Sequence, residues 1–338
     1  MKRLSIAILS LLIIGFSSCE HKELCYHHPH TAKVRVNVDW NLFTEEAPTG
    51  MTVMVYPETG GKPQTSLTHT LDHTYFNLEQ GTYHTLVFNQ STTEFGSLEF
   101  RNMETYHGAE VVSATEEARW YTGRAEGGRV AAQPEWIATD RHEGDEVTLR
   151  MVEEARQAGK NHSADVKEYL LCSLTPRNIV YTVDVRVHIK GVYNLRSARA
   201  ALDGMAEGYR FASAKPTTSV STYLMEEWSL TVNQADPTQG YIDGTLYCFG
   251  LPDGHSAQSE GNQLLLSLLL VDNKTILDFP FMVGDKFIRD EDPNKLHLYL
   301  ELEFADPLPD VKPEGGSGSG FDATVEDWGE EIEHDIQM

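Results

Sequence analysis

The sequence predicts an all-β protein with two tandem β-sandwich domains. Two stretches, Val34 to Trp40 and Val183 to Ile189, place an apolar residue at every second position between polar ones. Leu296 to Phe304 repeats this pattern near the other end of the chain. Alternation with a period of two is typical of a strand that packs one face on a core and exposes the other. A length of 338 residues is enough for two such cores, and the similarity of the two valine-rich strands suggests that one architecture occurs twice.

The elements between these strands are predicted from β-branched and aromatic clusters separated by turn residues. Strands are expected at 51–56, 98–100, 136–139, 147–151, 224–232 and 241–250, with a hairpin or sharp connection joining 75–78 to 83–88 and a hairpin joining 264–271 to 275–283. The charged stretch 153–171 fits either a helix or a surface loop. The spacing of Leu195, Ala198, Leu202 and Met205 predicts a short helix over 194–205.

The N-terminus has the features of a bacterial lipoprotein precursor. Lys2 and Arg3 precede an apolar run, and the small residues Ser17 and Ser18 precede Cys19. Residues 1–18 are therefore predicted to be a signal peptide, and Cys19 the lipidated first residue of a membrane-attached segment, 19–30. The apolar run is shorter than the ~20 residues that span a bilayer. An ordinary signal peptide, with Cys19 incidental, is the alternative.

Charge and cysteine content exclude several classes of protein. The chain has 27 basic and 51 acidic residues, for a net charge of −24. Such an excess of carboxylates argues against nucleic acid as a partner, because its binding depends on basic residues. Four cysteines are present, Cys19, Cys25, Cys172 and Cys248. If Cys19 is acylated, at most one disulfide forms, so a hydrophobic core must stabilise the fold.

The domain boundaries follow from composition. The first sandwich is predicted at 31–176 and the second at 177–338, with a Pro- and Gly-rich linker at 307–320 before a last strand. In that last strand Trp328, Ile332, Ile336 and Met338 are the apolar positions. A patterned strand on a flexible linker can complete its own sheet, or it can add to the sheet of a neighbouring subunit. These four residues are the predicted partner-binding site.

Several segments together resemble an uncharacterised, fimbrillin-like lipoprotein family of Bacteroidetes. The resemblance rests on Cys19 to His30, the strand ending in Asp39-Trp40, and four further segments, 50–57, 81–89, 194–208 and 327–330. It implies two tandem transthyretin-like sandwiches at the outer membrane, on the cell surface, and a relation to fimbrial subunits as partners. Stalk subunits of such fimbriae lose a first strand to an arginine-specific protease, whereas anchor subunits keep it. Here Arg35 lies inside the first strand and the next arginine is Arg101, which favours a retained strand.

The sequence does not predict catalysis, a cofactor or a metal site. His21, His27, His28, His30 and Cys25 lie close together, but they flank the predicted anchor and lack a supporting scaffold, so a structural role is favoured. Signatures for zinc proteases, serine hydrolases and nucleotide binding are missing. The predicted function is a structural or anchoring component of a fimbria-like assembly. The alternative is a non-catalytic surface protein that binds glycan or a host ligand through exposed tryptophans.

Overall fold

The computed structural model describes residues 30–43, 47–117, 120–121, 129–160, 167–292 and 295–313. Strands dominate these ranges, and a single α-helix, α1 (Leu149–Lys160), occurs within them. The strands of the first half are β1 (Ala32–Val38), β2 (Met51–Pro57), β3 (Gln64–Thr68), β4 (His73–Leu78), β5 (Gly81–Asn89), β6 (Leu98–Arg101), β7 (Glu110–Ser113), β8 (Val130–Ala131), β9 (Ala138–Val147) and β10 (Tyr169–Leu174).

The strands of the second half begin just after β10. They are β11 (Arg177–Asn178), β12 (Tyr181–Lys190), β13 (Leu195–Ala206), β14 (Gly208–Arg210), β15 (Lys215–Pro216), β16 (Val220–Met225), β17 (Trp228–Val232), β18 (Gln239–Cys248), β19 (Gln263–Leu270), β20 (Ile276–Met282), β21 (Ile288–Arg289) and β22 (His297–Glu303). The all-β prediction is confirmed.

Four of the five sheets in the described ranges form two sandwiches. Sheet I (order β10-β1-β4) and sheet II (β11-β9-β5-β2-β3) contribute to one core, and sheet III (β17-β18-β12-β22-β21) and sheet IV (β20-β19-β13-β16-β8) to the other. The first strand of each sandwich takes the same kind of place in its sheet. β1 lies between antiparallel β4 and parallel β10, and β12 lies between antiparallel β18 and parallel β22.

A fifth sheet joins the two halves of the chain. Sheet V has the order β15-β14-β7-β6, so strands from before and after residue 177 pair within it. β8 likewise pairs with β16 of sheet IV. A third core cluster lies at this junction, where the rings of Phe88, Phe100 and Phe211 stack with centroids 5.0 to 6.3 Å apart. The boundary between residues 176 and 177 stays a prediction, and these pairings tie the segments on either side of it together.

The helix predicted over 194–205 is wrong, because this segment is strand β13. It is a central strand of sheet IV, paired with β16 on one side and β19 on the other. Nine of its twelve residues are buried, and the three half-buried ones are Arg196, Arg199 and Asp203. Burial therefore does not alternate along the strand, and the spacing does not distinguish a strand from a helix. The pairing shifts register between Leu202 and Met205, and Gly204 has a φ of +81° there.

The strand predicted at 147–151 is also wrong over most of its length. Val147 ends β9, and α1 begins at Leu149. The side chain of Thr148 caps the helix, since its Oγ1 accepts a hydrogen bond from Met151 N at 3.3 Å. The undecided stretch 153–171 contains the rest of α1 and the start of β10, with residues 161–166 outside the described ranges.

Most other predicted strands are confirmed, with two refinements. The strand predicted at 224–232 is interrupted after Met225, and β17 begins in the other sheet at Trp228. β4 and β5 belong to different sheets, so the link between them is a sharp connection and not a hairpin. The hairpin of β19 and β20 forms as predicted.

Candidate functional site: the first strand and the free sheet edges

The first strand fills the centre of sheet I. Ala32, Val34 and Val36 are fully buried, and Val38 is nearly so. They face the core of the first sandwich, as the alternation in the sequence predicts. Six consecutive residue pairs join β1 to β4, and five pairs join it to β10. Removal of β1 would therefore separate its two neighbours and open the core between them.

Further contacts hold β1 at both ends. At its start the Lys33 ammonium lies 2.5 Å from the carboxylate of Glu168. At its end Val38 N donates to Asp72 O at 2.9 Å, and the following Asp39 N donates to Leu174 O at 2.8 Å. The strand is thus fixed in register against both neighbours.

Arg35 is the position in β1 where an arginine-specific protease would have to cut. Its side chain points away from the core and is half-buried, and the residue is paired with Tyr75 on one side and Leu170 on the other. A protease binds its substrate as an extended chain, so β1 would first have to leave both neighbours. The structure therefore protects this bond while the first sandwich is folded.

The seams between the two sheets of the first sandwich are bridged by hydrogen bonds. On one side the hydroxyls of Ser66 and Thr74 lie 2.7 Å apart, linking β3 to β4. On the other side Thr175 N, just after β10, donates to Asp140 Oδ2 in β9 at 2.7 Å. With β1 in place, sheet I has no vacant position between β4 and β10.

The second sandwich has an exposed apolar edge at β20. This strand is the last of sheet IV and pairs only with β19 among the described residues. Ile276 and Met282 are 47% and 40% exposed, while Phe279 and Phe281 turn inward and pack on Phe304 with ring centroids 4.3 and 5.6 Å away. Natural edge strands usually carry lysine or another outward charge that prevents pairing with other chains. β20 has Asp278, whose carboxylate instead accepts a 2.5 Å hydrogen bond from Ser267.

A match to a family model covers residues 18–226, which is more than half of the chain. The family is described as a domain of unknown function, DUF5119. The chain belongs to this family. The match begins one residue before Cys19 and includes β1, all of the first sandwich and the first strands of the second. The resemblance of the sequence to an uncharacterised family is confirmed.

Among solved structures is a protein with a fold similar to that of this DUF5119 protein. A candidate adhesin from Bacteroides ovatus is 14% identical, and the match covers 88% of this chain and 99% of that one at a TM-score of 0.56. The fimbrial anchor protein Mfa2 from Porphyromonas gingivalis is 12% identical over 81% of this chain and 90% of its own, at a TM-score of 0.45. No curated protein matches the sequence. At these identities the likeness concerns the fold, and only the first match is close enough to support it.

The predicted site residues fall mostly outside the described ranges. Cys19, Cys25, His21, His27 and His28 precede residue 30, and Trp328, Ile332, Ile336 and Met338 follow residue 313. Of the predicted linker, residues 307–313 are described, and they lie on the second sandwich. Leu308 is 5% exposed, and its N–H donates to Lys190 O at 2.8 Å.

The exposed edge at β20 was not predicted as a site. One signal for it was present in the sequence. The segment Ile276 to Met282 has no basic residue, and its apolar residues occur at both odd and even positions. That signal identifies an unusual strand, but it does not reveal that the strand lies at an edge. The position of β20 depends on the order of sheet IV.

The outer face of sheet III is polar and internally paired. A surface cavity of about 680 Å³ there is lined by His188, Tyr241, Glu301 and Glu303, among others. The His188 imidazole lies 2.8 Å from the Glu301 carboxylate, and Arg186 binds Asp243 through two hydrogen bonds of 2.7 and 3.0 Å. These groups satisfy one another, as on an ordinary solvated sheet face.

The described tryptophans are not displayed on the surface. Trp40 and Trp228 are buried, and Trp136 packs on the first core. Trp120 is half-buried, with the guanidinium of Arg199 4.2 Å from its ring and its indole N–H donating to Glu226. The set of exposed tryptophans expected of a glycan-binding surface protein is not found among these four.

Cys172 and Cys248 are buried, unpaired thiols. Burial raises the pKa of each to about 12, so neither is a nucleophile at neutral pH. Among the described side chains, no cluster of three or more histidine, cysteine or acidic groups is arranged to hold a metal ion. The described part of the chain also has no helix of the length and hydrophobicity needed to cross a membrane.

Proposed function

We propose that this protein is a surface lipoprotein that serves as a structural or anchoring component of a fimbria-like assembly. The observation that carries the proposal is the central, buried position of the first strand. β1 occupies the centre of sheet I with its apolar face buried, so the first sandwich is complete without a strand from another subunit. A subunit of this kind can end or hold a polymer, but it has no open slot in its first sandwich through which to extend one.

The fold supports the same class of function. The candidate adhesin from Bacteroides ovatus shares it over nearly its full length. The sequence carries no catalytic signature, and the described thiols are buried and protonated. We therefore propose a non-catalytic role, with other fimbrial subunits as partners.

In this proposal the C-terminal segment makes the contact with the partner. Trp328, Ile332, Ile336 and Met338 supply the apolar face of a strand at the end of the linker. Main-chain hydrogen bonds to a partner's sheet edge would provide affinity, and the alternate apolar side chains would provide specificity.

Attachment to the outer membrane is the first part to test. Replacement of Cys19 by alanine in the full precursor should abolish incorporation of radiolabelled palmitate and shift the protein from the detergent phase to the aqueous phase. A second variant, Cys25→Ala, is the matched control and should remain labelled. Continued labelling of the Cys19→Ala variant would contradict lipidation at this residue.

The assembly role is tested with the tagged protein purified from detergent-solubilised outer membranes without boiling. A co-purifying β-rich subunit that is lost when residues 328–338 are deleted would support strand addition by this segment. A monomer with nothing bound, in cells that make fimbriae, would contradict the anchoring role.

A further inference from the structure

The free edge of β20 has backbone groups available for pairing. Pro280 lies in this strand opposite Leu265, and a proline is tolerated in an edge strand where its nitrogen faces away from the partner. In an antiparallel strand, residues two positions apart direct their backbone N–H and C=O groups to the same side of the strand. The N–H groups of Ile276, Asp278 and Met282 therefore face the open side, whereas those of Leu277, Phe279 and Phe281 face β19.

The surface around this edge is apolar on both faces of the strand. Ile276 and Met282 are exposed on the outer face. Leu277, Phe279, Phe281 and Phe287 are partly buried against the second core and partly open to solvent. A strand laid along β20 with its apolar face inward would cover the open parts of Leu277, Phe279 and Phe281, and its polar face would lie beside Ile276 and Met282.

The described chain ends next to the start of β20. The carboxylate of Asp310 accepts hydrogen bonds from Tyr193 at 2.6 Å and from Asn194 at 3.0 Å. Asn194 O in turn accepts a hydrogen bond from Val271 N at 3.0 Å, at the turn that leads into β20. The last described residues thus lie at the same pole of the second sandwich as Ile276.

The remaining chain is long enough and suitably patterned to lie along this edge. Residues 314–330 provide 17 residues of connection (330 − 313), which span up to about 55 Å when extended. The free edge is seven residues long, or roughly 24 Å. In the eight residues from Glu331 to Met338, every second position is Ile332, His334, Ile336 or Met338, and the positions between them are polar. This matches a strand with one mainly apolar face and one solvated face.

We infer that residues 331–338 pair in cis with the free edge of β20, with Ile332, Ile336 and Met338 directed onto the apolar surface around it. The segment thereby completes sheet IV and covers an edge that would otherwise be free to pair with other chains. This inference does not depend on the assembly role. If both the inference and the assembly role are correct, residues 331–338 must leave β20 before they can pair with the sheet of a partner subunit.

Residue-resolved hydrogen exchange on the mature full-length chain tests the inference, with the variant lacking residues 328–338 for comparison. In the full chain we expect slow exchange at Ile276, Asp278 and Met282, and exchange at least roughly tenfold faster at these three amides in the shortened variant. The amides of Leu277, Phe279 and Phe281 should stay slow in both proteins, because they bond to β19. They serve as the control that sheet IV remains folded.

Two further comparisons make the result specific. The full-length double variant Ile332→Glu and Ile336→Glu should exchange like the shortened chain, whereas Glu333→Gln with Asp335→Asn, on the other face of the segment, should behave like the unaltered protein. Equal exchange at Ile276, Asp278 and Met282 in the full and shortened chains would overturn the inference. Protection that disappears on dilution would overturn it as well, because a second copy would then hold the segment. The assembly role is judged separately, by what co-purifies with the protein.

Discussion

At the residue scale, the bulge in β13 depends on a glycine. Gly204 has a φ of +81°, and a Cβ placed there would lie 2.5 Å from Gly261 O. Gly254 has the same φ of +81°, but a Cβ there would meet nothing within 4 Å. Alanine substitutions at the two positions can therefore distinguish the cost of backbone strain from the cost of steric overlap.

We expect Gly204→Ala to destabilise the protein by more than Gly254→Ala. The left-handed conformation costs a residue with a Cβ about 1–2 kcal/mol at either site. Overlap with the backbone of Gly261 should add roughly 1–3 kcal/mol at position 204 alone. Urea denaturation of the two variants measures the difference, and equal losses would show that the β13 bulge relaxes without cost.

Glu154 provides a pH-dependent contact between α1 and the start of β10. Hydrogen bonds from Lys167 and Tyr169, the first at 2.6 Å, lower the pKa of this carboxyl to about 2. Because its pKa is lower in the folded state than the ordinary value of 4.5, the contact stabilises the fold fully above about pH 4.5. That contribution is lost as the pH falls towards 2.

The variant Glu154→Gln tests the direction of this pH dependence. Its thermal midpoint should lie below that of the unaltered protein at pH 6. The difference between the two midpoints should decrease steadily from pH 4.5 to pH 3. The matched control is Glu153→Gln, which changes an exposed neighbour on the same helix. A gap that widens on acidification would mean that the carboxylate does not stabilise the folded state.

At the element scale, the central position of β1 predicts resistance to proteolysis at Arg35. An arginine-specific protease should leave the folded mature protein intact at this bond, because Arg35 is paired with a strand on each side. After denaturation the same protease should produce a new N-terminus at Val36. N-terminal sequencing of the products gives the answer, and a Val36 terminus from the folded protein would place this chain among subunits that lose their first strand.

The variant Val36→Ala tests how much β1 contributes to the first sandwich. Val36 is fully buried, so loss of two methyl groups should reduce the unfolding free energy by about 2 kcal/mol. Asn37→Ala, on the opposite face, should change it by less than about 0.5 kcal/mol. Cleavage at Arg35 should also become faster in Val36→Ala, since local opening of β1 requires less free energy.

The same elements show what a local pattern can and cannot predict. β1, β12 and β22 each have one buried and one solvated face, so their alternation is visible in the sequence and was predicted correctly. β13 is buried on both faces, which removes the alternation and led to the wrong helix. The first strand of the candidate site could thus be predicted. The free edge of β20 could not, because it depends on which strands lie beside it.

At the scale of the whole molecule, sheet V couples the two halves of the chain. Its strands are two to four residues long and pair β7 with β14 across nearly a hundred residues, so local sequence did not predict it. Glu207, just before β14, binds both Arg101 and Arg129 from the first half, and its side chain is 14% exposed. We therefore expect the sandwiches to unfold together.

Replacement of Glu207 by glutamine should weaken this coupling. Two arginines would lose their shared carboxylate in a partly buried place, at a cost of roughly 1–3 kcal/mol. Calorimetry should show one transition for the unaltered protein, and an earlier or divided transition for Glu207→Gln. Glu99→Gln removes a more exposed partner of Arg101 and should cost less than about 1 kcal/mol. Two separate transitions in the unaltered protein would contradict the coupling.

The parallel pairing of β1 with β10 also affects the order in which the molecule can fold. Val34 pairs with Tyr169, which lies 135 residues further along the chain (169 − 34). Contacts so distant along the chain raise contact order and slow folding. In a chain that emerges from its N-terminus, β1 appears well before the parallel partner that encloses it, and its valines remain accessible to a chaperone until β10 has followed.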